Sequence, residues 1–279
     1  MKTWAVARFT LRETIRTKTM IIGLVLSLLY LAVVPMLSTN SGGNAVVGEM
    51  DPTAAGRDFL GFSMGGLNFI GMAMAIFTTL GAIYTEIERG TIISIVTKPL
   101  HRWQIVVGKW AGHVLLMSGY VLIMGLALWL SVAVGSGVFI WRFFPAIMLV
   151  CLNIITMVSL TLVFSTFLPV IANAIFVFLM FIFTSNLRIV NAIGETSDNV
   201  FLVVTSYALR LVLPVSEVSD LAGLALAGKP AQSSANAVAT ETAAFAPRGW
   251  SFAYEIFYIA IMVLLAAVIF RKKDLTQSD

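Results

Sequence analysis

Apolar residues in this chain do not alternate with polar ones. They come in blocks long enough to cross a bilayer. The first block runs from Met20 to Leu37. At about 1.5 Å of rise per residue, a helix over it just matches the hydrocarbon layer. A polar stretch over 38–58, with Ser41-Gly42-Gly43-Asn44 and Asp51-Pro52, reads as a loop. Blocks at 59–84 and 110–134 follow, separated by a charged segment over 85–109, and Gly135-Ser136-Gly137 marks a tight turn. From Phe143 to Ser185 the chain is apolar almost without interruption, about twice the length one crossing needs. It must fold back, and Ser165-Thr166-Phe167-Leu168-Pro169 is the natural place, because proline lacks a backbone donor and clashes with the preceding turn. That predicts spans at 143–164 and 170–187. The mixed stretch 188–250 reads as one long loop with short helices, since neither Val200–Leu213 nor Leu221–Ala227 is long enough to cross. The last block, 251–270, ends in Arg271-Lys272-Lys273-Asp274. The expected fold is an all-α integral membrane protein, a single domain of about six transmembrane helices.

Composition agrees. Of 279 residues 59% are hydrophobic and 11% charged, against ~25% charged in soluble domains. The net charge of +4 therefore bears on membrane orientation and not on nucleic acid. With the first segment inside, the inner segments hold twelve of the eighteen Lys and Arg residues: Lys2, Arg8, Arg12, Arg16, Lys18, Arg89, Lys98, Arg102, Lys109, Arg271, Lys272 and Lys273. The expectation is a multi-pass protein of the plasma (inner) membrane, both termini cytoplasmic and the 188–250 loop outside. The residues before Met20 are too mixed, and the run after them too long, to read as a cleaved signal peptide. The lone Cys151 cannot form an intrachain disulfide and reads as a small buried hydrophobe.

Residues 1–18 have their own order. On a helical wheel Trp4, Ala7, Leu11 and Ile15 share one face, while Arg8, Arg12 and Arg16 line up at spacing four on another. This suits an interfacial helix, with tryptophan at headgroup level and the arginines towards anionic membrane lipid.

The segment between the second and third spans is the most informative. Glu86 and Glu88 close a membrane helix, Gly90 can take the left-handed turn that stops it, and Thr91 can cap a new short helix. That helix, 91–97, carries Ile92, Ile93, Ile95 and Val96 and is ended by Lys98-Pro99. Four aliphatic side chains on a short cytoplasmic helix call for cover. Either a groove on a partner protein or the membrane surface supplies it.

The pattern Glu86-x-Glu88-Arg89-Gly90-Thr91-Ile92, then Lys98-Pro99-Leu100-x-Arg102, then Gly108-Lys109, resembles the cytoplasmic loop of ABC-2-type permeases, the membrane subunits of one class of ATP-binding-cassette exporters. Lys98 departs from the small or aliphatic residue usual there. The resemblance extends to the N-terminal helix, the six-span layout, Leu213-Pro214 and the Phe270–Leu275 ending, and the long outer loops are similar to the permease subgroup of the nitrous-oxide-reductase copper-maturation system. It implies that 91–97 is a coupling helix docking on a cytoplasmic ABC ATPase, with two ATPase copies and a homodimer or a similar permease as partner. ATP and Mg2+ would bind the ATPase, not this chain. The resemblance leaves room for a complex that transmits force to an extracytoplasmic partner through 188–250. The residues alone also admit a stand-alone channel or scaffold.

No catalytic constellation is evident. Gly223-Leu224-Ala225-Leu226-Ala227-Gly228-Lys229-Pro230 resembles a phosphate loop but lacks the Ser or Thr that would hold magnesium. His101 and His113 have no ligand-like neighbours, and Met64, Met72 and Met74 read as apolar filler before they read as soft metal ligands. Asn68, Asn153, Asn173 and Glu255 are candidate pathway or packing residues, because polar groups in a span face the bundle interior or a water path. Glu255 is about one turn into the last block, close enough to its end to face outside water. Gly61 and Gly65 have the spacing that permits close helix approach, a candidate dimer seam; Gly108 and Gly112 repeat it.

Overall fold

The computed structural model describes residues 2–44, 52–88, 102–136, 143–186 and 251–272, with Trp141 and scattered positions between 190 and 205. The described residues are helical and contain no strand. The helices are α1 (Lys2–Ile15), α2 (Lys18–Asn44), α3 (Pro52–Thr79), α4 (Tyr84–Glu88), α5 (Arg102–Ser136), α6 (Phe143–Phe164), α7 (Val170–Ser185) and α8 (Ser251–Lys272). Helix is what a lipid solvent demands, since it satisfies backbone N–H and C=O groups within one segment.

The expected loop at 38–58 is largely helix: α2 runs on to Asn44 and α3 starts at Pro52. Likewise α5 starts at Arg102, inside the segment expected to be loop up to 109. Small polar residues end helices readily in water because water takes over their backbone bonds. Continuing the helix keeps those bonds internal. Near Pro169 the chain does turn, with α6 ending at Phe164 and α7 starting at Val170.

Four segments are long and apolar enough to cross a membrane: Ser63–Glu88, Trp103–Ser131, Phe143–Phe164 and Phe252–Lys272. The pair α1–α2, bent by 64°, passes only when taken together, and α7 at 16 residues is shorter.

The core lies where α3, α5 and α6 meet. Met72, Ile76, Met117, Val121, Ile154 and Met157 are all buried there. Met64, Met72 and Met74 are packed in this core, as apolar filler would be. A second cluster joins Ile83, Val106, Leu162, Val163, Ala266 and Phe270. It brings the end of α3, the start of α5 and the ends of α6 and α8 to one end of the bundle. At the opposite end Trp129 and Trp141 pack on Phe144, with ring centroids 5.6 and 5.9 Å away, as in an aromatic belt.

The residues of α1 that pack against the bundle are small. Ala7, Thr10 and Thr14 are buried, Leu11 is partly buried, and Trp4 and Ile15 are exposed. Small residues face inward because α1 crosses α5 over Gly108 and Gly112. A Cβ at Gly108 would meet Val6 Cβ at 2.7 Å, and one at Gly112 would meet the Ala7 carbonyl oxygen at 2.8 Å. A large side chain cannot enter such a crossing; a glycine opposite a threonine can. Thr10 and Thr14 return their hydroxyl protons to the carbonyls of Val6 and Thr10, at 3.0 and 2.8 Å, so no polar group is stranded in the seam.

Gly112→Ala should therefore overpack the α1–α5 seam and cost about 1–3 kcal/mol. Gly119→Ala, which meets nothing within 4 Å, should be neutral or slightly stabilising through helix propensity. Thermal unfolding of the two variants in detergent checks the contrast.

Candidate functional site

The segment that the sequence marks as the coupling loop leaves the bundle from α4 and returns at α5. Arg89, Gly90, Thr91, Ile92, Ile93, Ile95, Val96, Lys98 and Pro99 lie outside the described residues. Glu86 and Glu88 sit on α4, at the loop's point of departure.

Helix α3 stops at Thr79. The chain makes a turn over 80–83 and re-forms as the short α4, with Ala82 N–H bonding Thr79 O at 3.0 Å and Thr85 Oγ1 bonding Gly81 O at 2.6 Å. A helix end leaves carbonyls unfilled. Here side chains of α5 fill two of them. Lys109 Nζ donates to the carbonyl oxygen of Ala82 and pairs with Glu86 Oε1 at 2.6 Å. One turn further along α5, the His113 ring lies with Nε2 3.2 Å from Thr78 O and Nδ1 2.9 Å from Lys109 O. A cation at a helix C-terminus also meets the negative end of the helix dipole. Both side chains of the ion pair are largely shielded, at 7% and 16% exposure, so solvent screens it far less than a surface pair. The pair rests against the cluster of Ile83, Val106 and Phe270, with Ile87 and Trp110 packed beside it.

Segment 108–113 of α5 is thus two-faced. Gly108 and Gly112 admit α1; Lys109 and His113, each one residue on, hold the end of α3. The sequence placed Lys109 in a motif and His113 near the inner end of a span. It did not show that both serve the same neighbour.

The polar residues of the spans fall into two groups. Asn173 donates to Leu80 O at 3.0 Å and Thr161 O at 3.3 Å, pinning the start of α7 to the end of α3. It is a packing residue. Trp110 Nε1 donates to Ser159 Oγ at 2.8 Å and joins α5 to α6. Glu255 is fully buried, not facing outside water, and its Oε1 lies 2.7 Å from Thr156 Oγ1. Asn153, one turn from Thr156 on α6, is also fully buried. Asn68 is half-buried on α3. Gly61 and Gly65 both belong to α3, and the space beside Gly65 is open. On α1, Arg8, Arg12 and Arg16 are exposed along with Trp4 and Ile15. Among the described residues no group of three or more His, Cys, Asp or Glu could hold a metal ion.

A chain whose described residues are helical, with four helices of membrane length and a shielded ion pair at the end of one of them, is a multi-pass membrane protein. The chain belongs to the ABC-2 family: the model for ABC-2 family transporter proteins matches residues 4–275. It is the membrane-spanning permease component of an ATP-binding-cassette transporter. Among curated proteins none matches the chain.

Glu86→Gln should leave the Lys109 ammonium buried without its carboxylate and cost about 3–5 kcal/mol, whereas Glu86→Gln with Lys109→Met should regain most of that loss. Thermal unfolding of the single and double variants tests this. Equal loss in both would show that the pair does not hold the joint.

Proposed function

We propose that this permease subunit works with a separate ATPase and that the 89–101 segment carries the ATPase's motion into the bundle. The observation that carries the reading is the joint at the root of that segment. Glu86, Lys109, His113 and the carbonyls of Thr78 and Ala82 tie its departing and returning helices together. A push on the loop would move α3 and α5 as a unit, and α1 with them. In this reading Ile92, Ile93, Ile95 and Val96 fill a groove on the ATPase, Gly90 and Thr91 start the coupling helix, and Lys98-Pro99 end it. ATP and Mg2+ bind the ATPase, of which two copies serve two permease chains. The chain crosses the plasma (inner) membrane six times, α2 and α7 included, with both termini and the 89–101 loop in the cytoplasm. Support comes from the bundle itself. The start of α5 and the end of α8 share one end, and α1 lies over Gly108 and Gly112 near it; these elements carry Arg8, Arg12, Arg16, Arg102, Lys109, Arg271 and Lys272. The exposed arc of α1 lies on the inner leaflet. Gly61 and Gly65 on α3 face the second permease, the space beside Gly65 being open.

Purification of the tagged chain from its native membrane should bring an ATPase with it, about one per permease. Ile93→Asp should abolish that association while the chain still inserts. An undiminished ATPase in the Ile93→Asp preparation would overturn the docking assignment.

A further inference from the structure

Helix α1 and the turn after it carry a row of three cations. Arg8, Arg12 and Arg16 are exposed, and among the described residues none of them forms an ion pair. Glu13 is the one acid in α1. At about 100° per residue, Arg12 stands about 160° round the helix from both Thr10 and Thr14, and Arg8 and Arg16 fall about 40° to either side of it. The row therefore lies opposite the buried seam of Ala7, Thr10 and Thr14. Successive cations are about 6 Å apart along the axis. Trp4, Ile15 and the partly buried Leu11 lie beside Arg8 on one edge of the exposed arc, and Phe9 lies beside Arg16 on the other.

The bend that follows fixes the level of this row. Helices α1 and α2 meet at 64°, through a turn in which Arg16 N–H and Thr17 N–H each bond a carbonyl three residues back, at 3.1 Å. Past the turn the exposed side chains change from Lys18 and Thr19 to Ile21, Ile22, Val25 and Leu29. With α2 crossing the membrane, as proposed above, the hydrocarbon layer starts near Ile21. Helix α1, turned away from α2, then runs at the headgroup level beside it, where anionic lipids carry their phosphates. A guanidinium can fork onto two phosphate oxygens.

We propose that Arg8, Arg12 and Arg16 bind the phosphate groups of anionic phospholipids in the adjoining leaflet, and that this binding sets how firmly α1 is seated on α5. The three cations form a row only while α1 is helical and lies at that level, which is also the state that packs on Gly108 and Gly112. A ligand that binds one state stabilises it. The seam is close: Thr3 O and Ala7 O lie 3.0 and 2.8 Å from where a Cβ at Gly108 and at Gly112 would stand. The next residues of α5, Lys109 and His113, hold the end of α3. Lipid charge sensed at α1 thus reaches the joint through one helix. This regulation rests on the reading of α2 and of the joint given above.

The test is amide hydrogen exchange over residues 3–15 of the full chain, alone, in phosphatidylcholine vesicles and in vesicles that also contain phosphatidylglycerol. Exchange should be slower with phosphatidylglycerol, and high salt should shrink the difference. The triple variant Arg8→Gln, Arg12→Gln, Arg16→Gln should exchange at one rate in both vesicles, and Arg12→Gln alone should lose part of the difference. Arg271→Gln with Lys272→Gln, which removes cations from the end of α8, should keep it. One rate in both vesicles for wild type would overturn the proposal. So would slowing that survives in the triple variant, or slowing lost equally in the α8 variant, which would mark a response to overall charge. An α1 indifferent to lipid and protected only in a complex with the ATPase would make the ATPase the occupant of the row, against the proposal. The lipid comparison uses the chain alone, so its failure is distinct from a failure to find an ATPase.

Discussion

Inside a membrane domain no water is at hand to accept a hydrogen bond that the protein leaves open, and the rest of this structure is arranged around that constraint. The hydroxyls of Thr10, Thr14, Thr78, Thr161, Thr184 and Ser159 all turn back on carbonyls of their own helices. These bonds make buried threonine and serine nearly apolar to their neighbours. That frees them to serve as small residues at close crossings. Three side chains reach between helices to fill carbonyls released where a helix breaks: Asn173 to Leu80, Lys109 to Ala82, His113 to Thr78. Three of the bundle's cross-links thus converge on one break, residues 78–82. The break is costly only if its carbonyls go unfilled, so the chain can afford a turn at the root of the loop because α5 and α7 bring donors to it.

The convergence explains why one short stretch of α5 holds so much. Residues one apart on a helix point about 100° away from each other, so Gly108-Lys109 and Gly112-His113 present two faces in register. The glycine face needs absence of bulk, because the α1 backbone lies where a side chain would be. The Lys-His face needs reach and donors, because the end of α3 lies further off. Shifting either pair by one residue would aim a cation at α1 and a gap at α3.

Much of the architecture could be read from the sequence because block length and proline position are strong signals in lipid. The turn before Val170 and the span over Phe143–Phe164 fall where those signals put them. Which face of a helix packs was harder to read, because lipid is as apolar as leucine and hydrophobic periodicity does not separate lipid-facing from protein-facing sides. On α1 the largest apolar residues, Trp4 and Ile15, are exposed, while the buried stripe is Ala7, Thr10 and Thr14. The turn-forming residues at 41–44 misled for a related reason, since their preference is measured in water. Glu86 was marked by its motif, but its partner Lys109 is on another helix, and nothing in local spacing pairs them. The depth of Glu255 was hidden in the same way: distance from the end of its own helix says nothing of where the neighbouring helix lies.

The arrangement also bears on how a push at the loop would be transmitted. Two helices joined only by apolar packing can slide, because such contacts have little directional preference. A shielded ion pair with a second bond to a backbone carbonyl is directional: displacing Lys109 along α3 would lose both Glu86 and the Ala82 oxygen before any replacement came within reach. Sliding is therefore resisted where the loop attaches. Around that point Leu162, Val163, Ala266 and Phe270 make only apolar contacts, but Trp110 beside them bonds Ser159 and ties α5 to α6 as well. If the loop is pushed as proposed above, α6 would therefore be carried with α3 and α5, and α8, which meets them at this end through apolar side chains, would be the helix against which they shift.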